Sequence, residues 1–390
     1  MKKINKNKKI WKEVISFPNL LAAAMEVIKV KPSDSSIVYA DMNVTQLCMD
    51  IHIRLKNGTW VPIPGEPFIK HEKKTRSITP ILIEGKIVGQ AIYRVVRPYL
   101  ECKYIFESHA CVKGHGQHMS ALRTQKYFFV TKSNEIFSYK GDIHHYFQSV
   151  DHDILKFILK EYFIKDIKLL KLIYTFIDAF SEGIPIGWLT SEMLANIYLY
   201  LFDKFIMKNF PDLHYVRFMD DFVISGTDRK RVLQAAVSSK NFLDSALKLE
   251  TNVKSKIYKN HVDFCGYVIY KQYMIPRGKV IDGVDRRIKK YIRYGEFTKM
   301  IMSLNSFFGY IKFSMCRSIV YNLIYKIFNK IYYIGSMSKE MYYHYILDKL
   351  DIKDQLIDLE KNNREAMVTR EVRIKRRVAR NNKTGGKIAA

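Results

Sequence analysis

The spacing of apolar residues predicts both strands and helices in this chain. Apolar, β-branched and aromatic residues occupy 215–218 and 222–224, interrupted by Arg217, and such short runs are typical of strands. The two runs predict a hairpin whose tight turn carries Asp220 and Asp221, because aspartate tolerates turn conformations. Another short strand is predicted to begin at Phe137 and to end in Asp142.

Apolar residues three or four positions apart predict helices elsewhere in the chain. The predicted helices cover 20–28, 44–55, 93–106, 194–205, 228–247 and 286–345, and near-helical spacing also runs through 143–155. Asn57 and Gly58 predict a turn after the second helix. A pair of basic strands is predicted over 68–78, and a turn followed by a strand over 249–257.

Composition and charge narrow the classes of partner. The chain has 390 residues, of which 48% are apolar, so two or three domains with an ample core are expected. Its net charge of +27 predicts an anionic partner. Because 13% of the residues are aromatic, the basic surface is suited to nucleic acid, through phosphate neutralisation and base stacking.

Cysteine usage predicts a reducing compartment. Five cysteines are scattered through the chain without a CxxC pair, which favours neither a disulfide framework nor a zinc module. His109, His115 and His118 also match no spacing typical of zinc ligands. The sequence shows neither a signal-peptide core nor an apolar run long enough for a bilayer, so a cytoplasmic location without a membrane partner is predicted.

Three aspartates are the candidate catalytic residues. Asp220 and Asp221 are adjacent like charges, and holding them together is costly unless a cation lies between them. The two residues taken alone also fit an ordinary acidic turn. Asp142, at the end of a predicted strand, supplies the third carboxylate that a two-metal phosphoryl-transfer site needs.

Five motifs in a fixed order make the chain similar to a known family. They are GD followed by YF, GIPIG with TSE and LAN, RFMDDFVI, LKLETNVKS, and FCGY. In this order they resemble the palm of a reverse transcriptase, and the resemblance extends from about Lys74 to Tyr310. It implies an α+β right-hand polymerase with fingers, a palm whose antiparallel sheet is backed by helices, and a helical thumb. The implied domains are an N-terminal helical cap over 1–60, fingers over 61–141, a palm over 142–271 with part of the fingers around 155–182, a thumb over 272–345, and a basic tail over 346–390.

The resemblance also implies the ligands and the residues that bind them. Two Mg²⁺ ions, with Mn²⁺ as a substitute, are expected at Asp142, Ile143, Asp220 and Asp221. Template RNA, a DNA or RNA primer and dNTPs are the expected partners. The implied nucleotide-binding residues are Lys74, Arg76, Phe147, Ile186, Gly187 and Lys254, with Lys256 as the alternative register for Lys254. The implied primer grip consists of Phe264, Cys265, Gly266 and Tyr267.

Two of these residues carry expectations about substrate choice. Phe147 matches an aromatic ring that excludes a ribose 2′-hydroxyl, which favours DNA synthesis over RNA synthesis; a core role is the alternative. Ile186 stands where many reverse transcriptases carry glutamine, and an aliphatic side chain offers no amide contacts. Fewer polar contacts predict weaker discrimination between right and wrong base pairs.

Ile186 makes the chain most similar to the error-prone enzymes of diversity-generating retroelements, for which a small helical accessory protein is a candidate partner. Trp188 and Glu192 depart from that subgroup, which commonly has asparagine and glutamine there. Group II intron-like, retron-like and defence-associated reverse transcriptases stay as alternatives. A non-catalytic RNA-binding scaffold is the alternative from another class. An RNA-dependent RNA polymerase is disfavoured by Phe147.

Overall fold

The computed structural model describes residues 7–30, 35–71 and 75–314. The chain forms two compact units. The first runs to Cys265 and includes Ile269–Gln272, and the second comprises Gly266–Val268 and the described residues from Tyr273 onward. In the described part of the chain, no helix combines the length and the apolar character needed to cross a bilayer.

Helices dominate the first part of the chain. In order, it forms α1 (Asn7–Val14), α2 (Phe17–Val30), α3 (Ser35–Met42), α4 (Val44–Asn57), β1 (Phe68–His71), β2 (Thr75–Ile78), α5 (Ile83–Glu101) and α6 (Gln117–Val130). The predicted helices over 20–28 and 44–55 are confirmed as parts of α2 and α4. Gly58 ends α4 in the left-handed conformation, with φ of 73°, which a glycine adopts without steric cost. The helix predicted from Tyr93 begins ten residues earlier, since the buried face of α5 already starts at Gly85.

The middle of the chain alternates strands with helices. It forms β3 (Phe137–Gly141), a 3₁₀ turn (Tyr146–Ser149), α7 (His152–Ile158), a π-helical turn (Leu159–Phe163), α8 (Ile167–Ile177), α9 (Leu189–Tyr198), α10 (Tyr200–Asn209), β4 (His214–Phe218), β5 (Asp221–Gly226), α11 (Arg229–Leu247) and β6 (Lys256–Lys259). It continues with β7 (His261–Phe264), β8 (Tyr267–Tyr270), β9 (Met274–Pro276), α12 (Gly278–Arg293) and α13 (Phe297–Ile311).

An antiparallel four-stranded sheet in the order β4-β5-β3-β6 carries the candidate site. Successive side chains of a strand point to opposite faces. One face contributes the buried rings of Tyr139, Tyr215 and Phe222 to the core, which α9, α10 and α11 complete. The antiparallel sheets and the many helices confirm the predicted α+β class; the fingers, palm and thumb boundaries stay predictions.

Two helical predictions are corrected by local backbone breaks. The helix predicted over 194–205 is divided at Leu199 into α9 and α10. Residues 143–155 do not form one helix, because His145 is left-handed with φ of 43° and only a 3₁₀ turn follows. α7 then begins after Asp151, whose carboxylate accepts a hydrogen bond from the backbone of Ile154.

The helix predicted over 228–247 is confirmed as α11. Asp228 caps it by accepting a hydrogen bond from the backbone of Lys230. The helical prediction over 286–345 is confirmed as far as Ile311, by α12 and α13, and the assignment of these helices to a thumb stays a prediction. The rest of that prediction, from 315 to 345, and the basic tail lie outside the described residues.

Candidate active site

The register of the sheet brings two of the three predicted acids to one end of the sheet, where β3 ends and β5 begins. β3 and β5 pair in antiparallel fashion up to Gly141 opposite Phe222, so the next positions are Asp142 and Asp221. Their common face is marked by Ser138 and Ser225, whose hydroxyl oxygens lie 2.8 Å apart. The Cα atoms of directly opposed positions in such a pair lie about 4.5–5.5 Å apart, so the register brings the backbones of these two residues close together.

The third acid lies in the turn between β4 and β5. Phe218 pairs with Asp221, which leaves Met219 and Asp220 as a two-residue turn. The prediction that both acids lie in the turn is therefore corrected, because Asp221 is the first residue of β5. Met219 has φ of 57°, a left-handed conformation that costs a side-chain-bearing residue about 1–3 kcal/mol and is concentrated at functional sites.

A loop before β6 holds the backbone of Asp142. Its carbonyl accepts a hydrogen bond of 2.7 Å from the backbone N–H of Asn252, and its own N–H donates to the hydroxyl of Ser255 at 3.2 Å. Ile143 is buried and lies opposite Thr251. Lys254 lies exposed in this loop, and its N–H donates to the Asn252 side chain at 3.0 Å. The backbone of Asp142 is thus held by this loop, directly after Gly141, the last residue that β3 pairs with β5.

The chemistry of these residues fits a divalent cation. Carboxylate oxygens are the ligands that Mg²⁺ prefers, and all three aspartates are partly exposed at the end of the sheet. Asp221 already attracts a cation, since Lys140 Nζ lies 3.5 Å from its Oδ1. Within the described residues, however, no three acidic, cysteine or histidine side chains converge as a ready metal site. The backbone brings the three acids to the same end of the sheet without assembling a metal site among the described side chains.

Phe147 and the loop that carries Ile186 are joined through the backbone. Ile184 donates a hydrogen bond of 2.8 Å to the carbonyl of Phe147. Gly183, with φ of 63°, lies so close that an added Cβ would approach the Phe147 carbonyl oxygen to 2.6 Å. Ile186 is half-buried and Gly187 is exposed, while Phe147 packs partly against the core.

Trp188 anchors the same loop. Its indole N–H donates to the carbonyl of Thr79 at 2.8 Å, and its buried ring packs against Phe176 and Phe180. Thr79 directly follows β2, the strand of Arg76. Arg76 is exposed and lies opposite Lys70 in the two-stranded β1-β2 sheet. Lys74, the other predicted triphosphate ligand, lies outside the described residues.

The residues of the predicted primer grip are divided between the two units along the chain. Phe264 and Cys265 belong to the first unit, and Gly266 and Tyr267 to the second. Within the second unit, the Tyr267 ring stacks on that of Tyr310 at 4.8 Å. The Tyr267 hydroxyl donates to the Tyr310 carbonyl, and the Tyr310 hydroxyl donates to the Gly266 carbonyl. Gly266 has φ of 85° and leaves no room for a side chain beside that hydroxyl.

Sequence reasoning missed the buried ion pair beside the acidic turn. Arg217, in β4, has no exposed side-chain surface and forms a bidentate pair with Asp203 of α10. Burial alone would lower the pKa of Arg217, but Asp203 outweighs it and raises the pKa above its usual value. The signal was an arginine within an apolar strand, because a buried charge requires a partner.

A partly buried polar cluster lies at the start of β4. Glu107 contacts His109 and Arg123, and His214 stacks on Tyr127 with 4.3 Å between ring centroids. Burial would raise the pKa of Glu107, but His109 and Arg123 outweigh it and lower that pKa to about 2. Burial lowers the pKa of His214 to about 4. His214 is therefore neutral in the folded protein at pH values where it would be charged in the unfolded chain.

This difference predicts that acid destabilises the fold before the carboxylates titrate. Because the folded pKa of His214 is below the unfolded value, its contribution is present above pH 6.5 and is lost as the pH falls towards 4. Between pH 7 and pH 5 the free energy of unfolding should fall by about 2 kcal/mol through this group. Urea titrations at both pH values measure the fall. His214→Phe keeps the ring stack and should reduce it; an equal fall in both proteins would contradict the assignment.

Comparisons with known proteins identify a family for this chain. The family model described as reverse transcriptase (RNA-dependent DNA polymerase) matches residues 68–269, just over half of the chain. The group II intron-encoded protein LtrA of Lactococcus lactis subsp. cremoris is 32% identical over 168 residues, which cover 40% of this chain and 27% of LtrA. Protein P of woodchuck hepatitis B virus (isolate 2) is 34% identical over 130 residues, 33% of this chain and 14% of the viral protein.

Two further similarities extend over more of the chain. Protein YkfC of Escherichia coli (strain K12) is 24% identical over 290 residues, which cover 62% of this chain and 71% of YkfC. An apo telomerase structure from Candida tropicalis has a TM-score of 0.43 at 14% identity and covers 57% of this chain and 58% of the telomerase chain. The chain spans about a quarter of the length of LtrA. The family match over more than half of its residues shows that this chain belongs to the reverse transcriptase family.

Proposed function

We propose that this protein is an RNA-directed DNA polymerase that extends a primer by two-metal phosphoryl transfer. The observation that carries the proposal is the sheet register, which sets Asp142 beside Asp221 with Asp220 in the adjoining turn. Family membership adds the expectation of template RNA, a DNA or RNA primer and dNTPs as ligands.

The proposed metal ligands are Asp142, Asp220, Asp221 and the backbone oxygen of Ile143, with Mg²⁺ as the ion and Mn²⁺ as a substitute. When bound, a pair of such ions would lower the pKa of the primer 3′-hydroxyl and offset the charge of the triphosphate. The strands fix the backbone of these residues, and rotation of the carboxylates would complete the site when metal binds. A role for Arg76 in binding the triphosphate is supported by its exposure and by the fork geometry of guanidinium, and Lys74 and Lys254 are proposed to add charge.

Primer extension on poly(rA)/oligo(dT) tests this function. We expect dTTP incorporation that requires Mg²⁺ and stops when EDTA is added. A protein that binds the RNA–DNA duplex but adds no nucleotide with either Mg²⁺ or Mn²⁺ would be a non-catalytic scaffold, and the polymerase proposal would be wrong. Duplex binding itself should weaken steeply with salt, because phosphate contacts release counterions.

Phe147 is proposed to select the sugar of the incoming nucleotide. Phe147 follows Asp142 by five residues. Its backbone is held by the hydrogen bond from Ile184 and by the close approach of Gly183. Phe147→Ala should raise rGTP use relative to dGTP by about tenfold or more, since it removes a steric clash with the 2′-hydroxyl. The ratio of kcat/KM values measures it. Phe157→Ala, at an exposed ring of α7, is the matched control and should leave the ratio unchanged.

We further propose that the enzyme is the error-prone type found in diversity-generating retroelements, with a small helical accessory protein as a candidate partner. The support is Ile186, half-buried beside Gly187, where no side-chain amide is available to contact the incoming nucleotide. Such an enzyme should misincorporate mainly opposite template adenines. The similarity to LtrA keeps a group II intron-like enzyme as the alternative, for which no bias towards template adenines is expected.

Sequencing of cDNA copied from an RNA with equal base content separates these two functions. Ile186→Gln should lower the error frequency opposite adenine by about threefold to tenfold, because an amide restores a polar contact that only the correct pair satisfies. Ile167→Gln, at an exposed position of α8, is the control. An unchanged adenine error frequency in Ile186→Gln would remove Ile186 as its cause.

A further inference from the structure

The guanidinium of Arg217 uses every one of its five N–H groups in the protein interior. Nε and Nη2 donate to the two carboxylate oxygens of Asp203 at 2.7 and 2.6 Å. Nη2 also donates to the hydroxyl of Ser108 at 3.0 Å, and Nη1 donates to the side-chain oxygen of Asn196 at 3.1 Å. The fifth bond runs from Nη1 to the backbone carbonyl of Met219, also at 3.0 Å.

The bond to Met219 acts on the acidic turn itself. The Met219 carbonyl belongs to the peptide plane that leads into Asp220, and a peptide plane is rigid. Fixing that carbonyl fixes the direction in which the chain enters Asp220. Met219 is left-handed, with φ of 57°, so the turn has less strained alternatives unless something holds it.

The other hydrogen bonds of Arg217 connect it to three separate segments of the chain. The backbone N–H of Arg217 donates to the backbone carbonyl of Glu107, and the Arg217 carbonyl accepts from the backbone N–H of His109. These two bonds join β4 to the loop before α6. Asp203 comes from α10 and Asn196 from α9. Asp203 also accepts a hydrogen bond of 2.8 Å from Tyr215, in addition to its two bonds from Arg217. The carbonyl of Met219 is therefore bound to a guanidinium that is itself restrained by hydrogen bonds to Asp203, Asn196 and Ser108.

We propose that Arg217 is a positioning residue that holds the Met219–Asp220 turn in its strained, metal-binding conformation. Stability alone would not require it, because apolar residues commonly replace a buried ion pair at no cost in stability. The planar fork is required, since lysine has the charge but cannot reach Asp203, Asn196, Ser108 and Met219 together. This inference rests on the proposed function of Asp220 and deepens it.

Arg217→Lys is the principal test, and Arg231→Lys is its matched control. Arg231 also forms a bidentate pair, with Asp212, but on the exposed surface and without contact to the turn. For Arg217→Lys we expect single-turnover incorporation to fall about tenfold or more, with a similar rise in the Mg²⁺ concentration for half-maximal rate. The KM for dNTP at saturating Mg²⁺ and the Kd for primer–template should stay within twofold. Arg231→Lys should change none of these values.

Metal binding without substrate supplies a readout that does not depend on activity. Mn²⁺ titration followed by electron paramagnetic resonance should give a Kd about tenfold higher for Arg217→Lys than for the parent protein. Met219→Gly in the Arg217→Lys background should recover about fivefold of the lost rate and affinity, because glycine adopts positive φ without strain. If Arg217→Lys does not fold, as judged by circular dichroism, Asn196→Ala replaces it. That variant removes the other acceptor of Nη1 and should show the same signature at about threefold.

The outcomes are separable. A folded Arg217→Lys protein whose Mg²⁺ requirement and Mn²⁺ affinity match the parent would overturn the inference, as would a double variant no better than Arg217→Lys. For Asn196→Ala, unchanged metal affinity would overturn it equally. Failure of the proposed function looks different, because the parent protein would then add no nucleotide at all.

Discussion

Asp220→Asn should reduce primer extension by at least about a thousandfold. The substitution keeps the size and shape of the side chain in the Met219–Asp220 turn but removes the negative charge. An amide offers one neutral oxygen where a metal ion requires a charged ligand, and the loss of such electrostatic stabilisation is the largest single effect expected at a phosphoryl-transfer site. Single-nucleotide addition on poly(rA)/oligo(dT) measures the loss.

The protein should stay folded when Asp220 is replaced. Asp220 is partly exposed, and asparagine tolerates the same turn conformations. Circular dichroism and the melting temperature should therefore match those of the parent. Asp212→Asn, at an acid on the exposed surface, is the control for removing a carboxylate and should extend the primer normally. Incorporation by Asp220→Asn within tenfold of the parent would contradict the metal-ligand role.

Gly141→Ala should be among the most destabilising single substitutions in the sheet. An added Cβ would lie 2.2 Å from the Phe222 ring, which is fully buried and packed against Phe202 and Tyr139. Because neither the ring nor the strand has room to move, we expect a loss of about 2–3 kcal/mol or more. That loss corresponds to a fall in melting temperature of roughly 5–10 °C for a unit of this size.

The same substitution should also damage synthesis. Gly141 and Phe222 are the last pair before Asp142 and Asp221, so a displaced ring changes the spacing of the two carboxylates. Gly89→Ala is the matched control, at a buried helical glycine whose added Cβ would find only ordinary contacts at 3.5 Å or more. It should melt at or slightly above the temperature of the parent. A Gly141→Ala protein with the melting temperature and activity of the parent would show that the ring has other places to go.

The strands and the acidic hairpin were predictable from sequence because their residues strongly favour extended structure. The register was not, since nothing local states that Gly141 faces Phe222 rather than a neighbour one or two residues away. The break at Leu199 was equally invisible, because apolar residues that favour helices continue on both sides of it. Such features depend on packing between segments far apart in the chain.

The candidate site, too, was only partly predictable from the sequence. Asp142, Asp220 and Asp221 were found as residue types at strand ends, whereas their support was not. Arg217 was visible as a charge inside an apolar strand, but its partner Asp203 lies fourteen residues earlier on a separate helix. Trp188, noted in the sequence only as a departure from a pattern, is the anchor that bonds its loop to Thr79.

The close approach of Gly183 to the backbone of Phe147 has a consequence for how the proposed polymerase could change over time. Since the loop from Gly183 to Gly187 is joined to Phe147 through the Phe147 backbone, a mutation that shifts either one should displace the other. With the roles proposed for Ile186 and Phe147, accuracy of base choice and rejection of ribonucleotides should therefore change together in a mutant lineage. A laboratory selection for more accurate copying should then also yield variants whose use of ribonucleotides has changed.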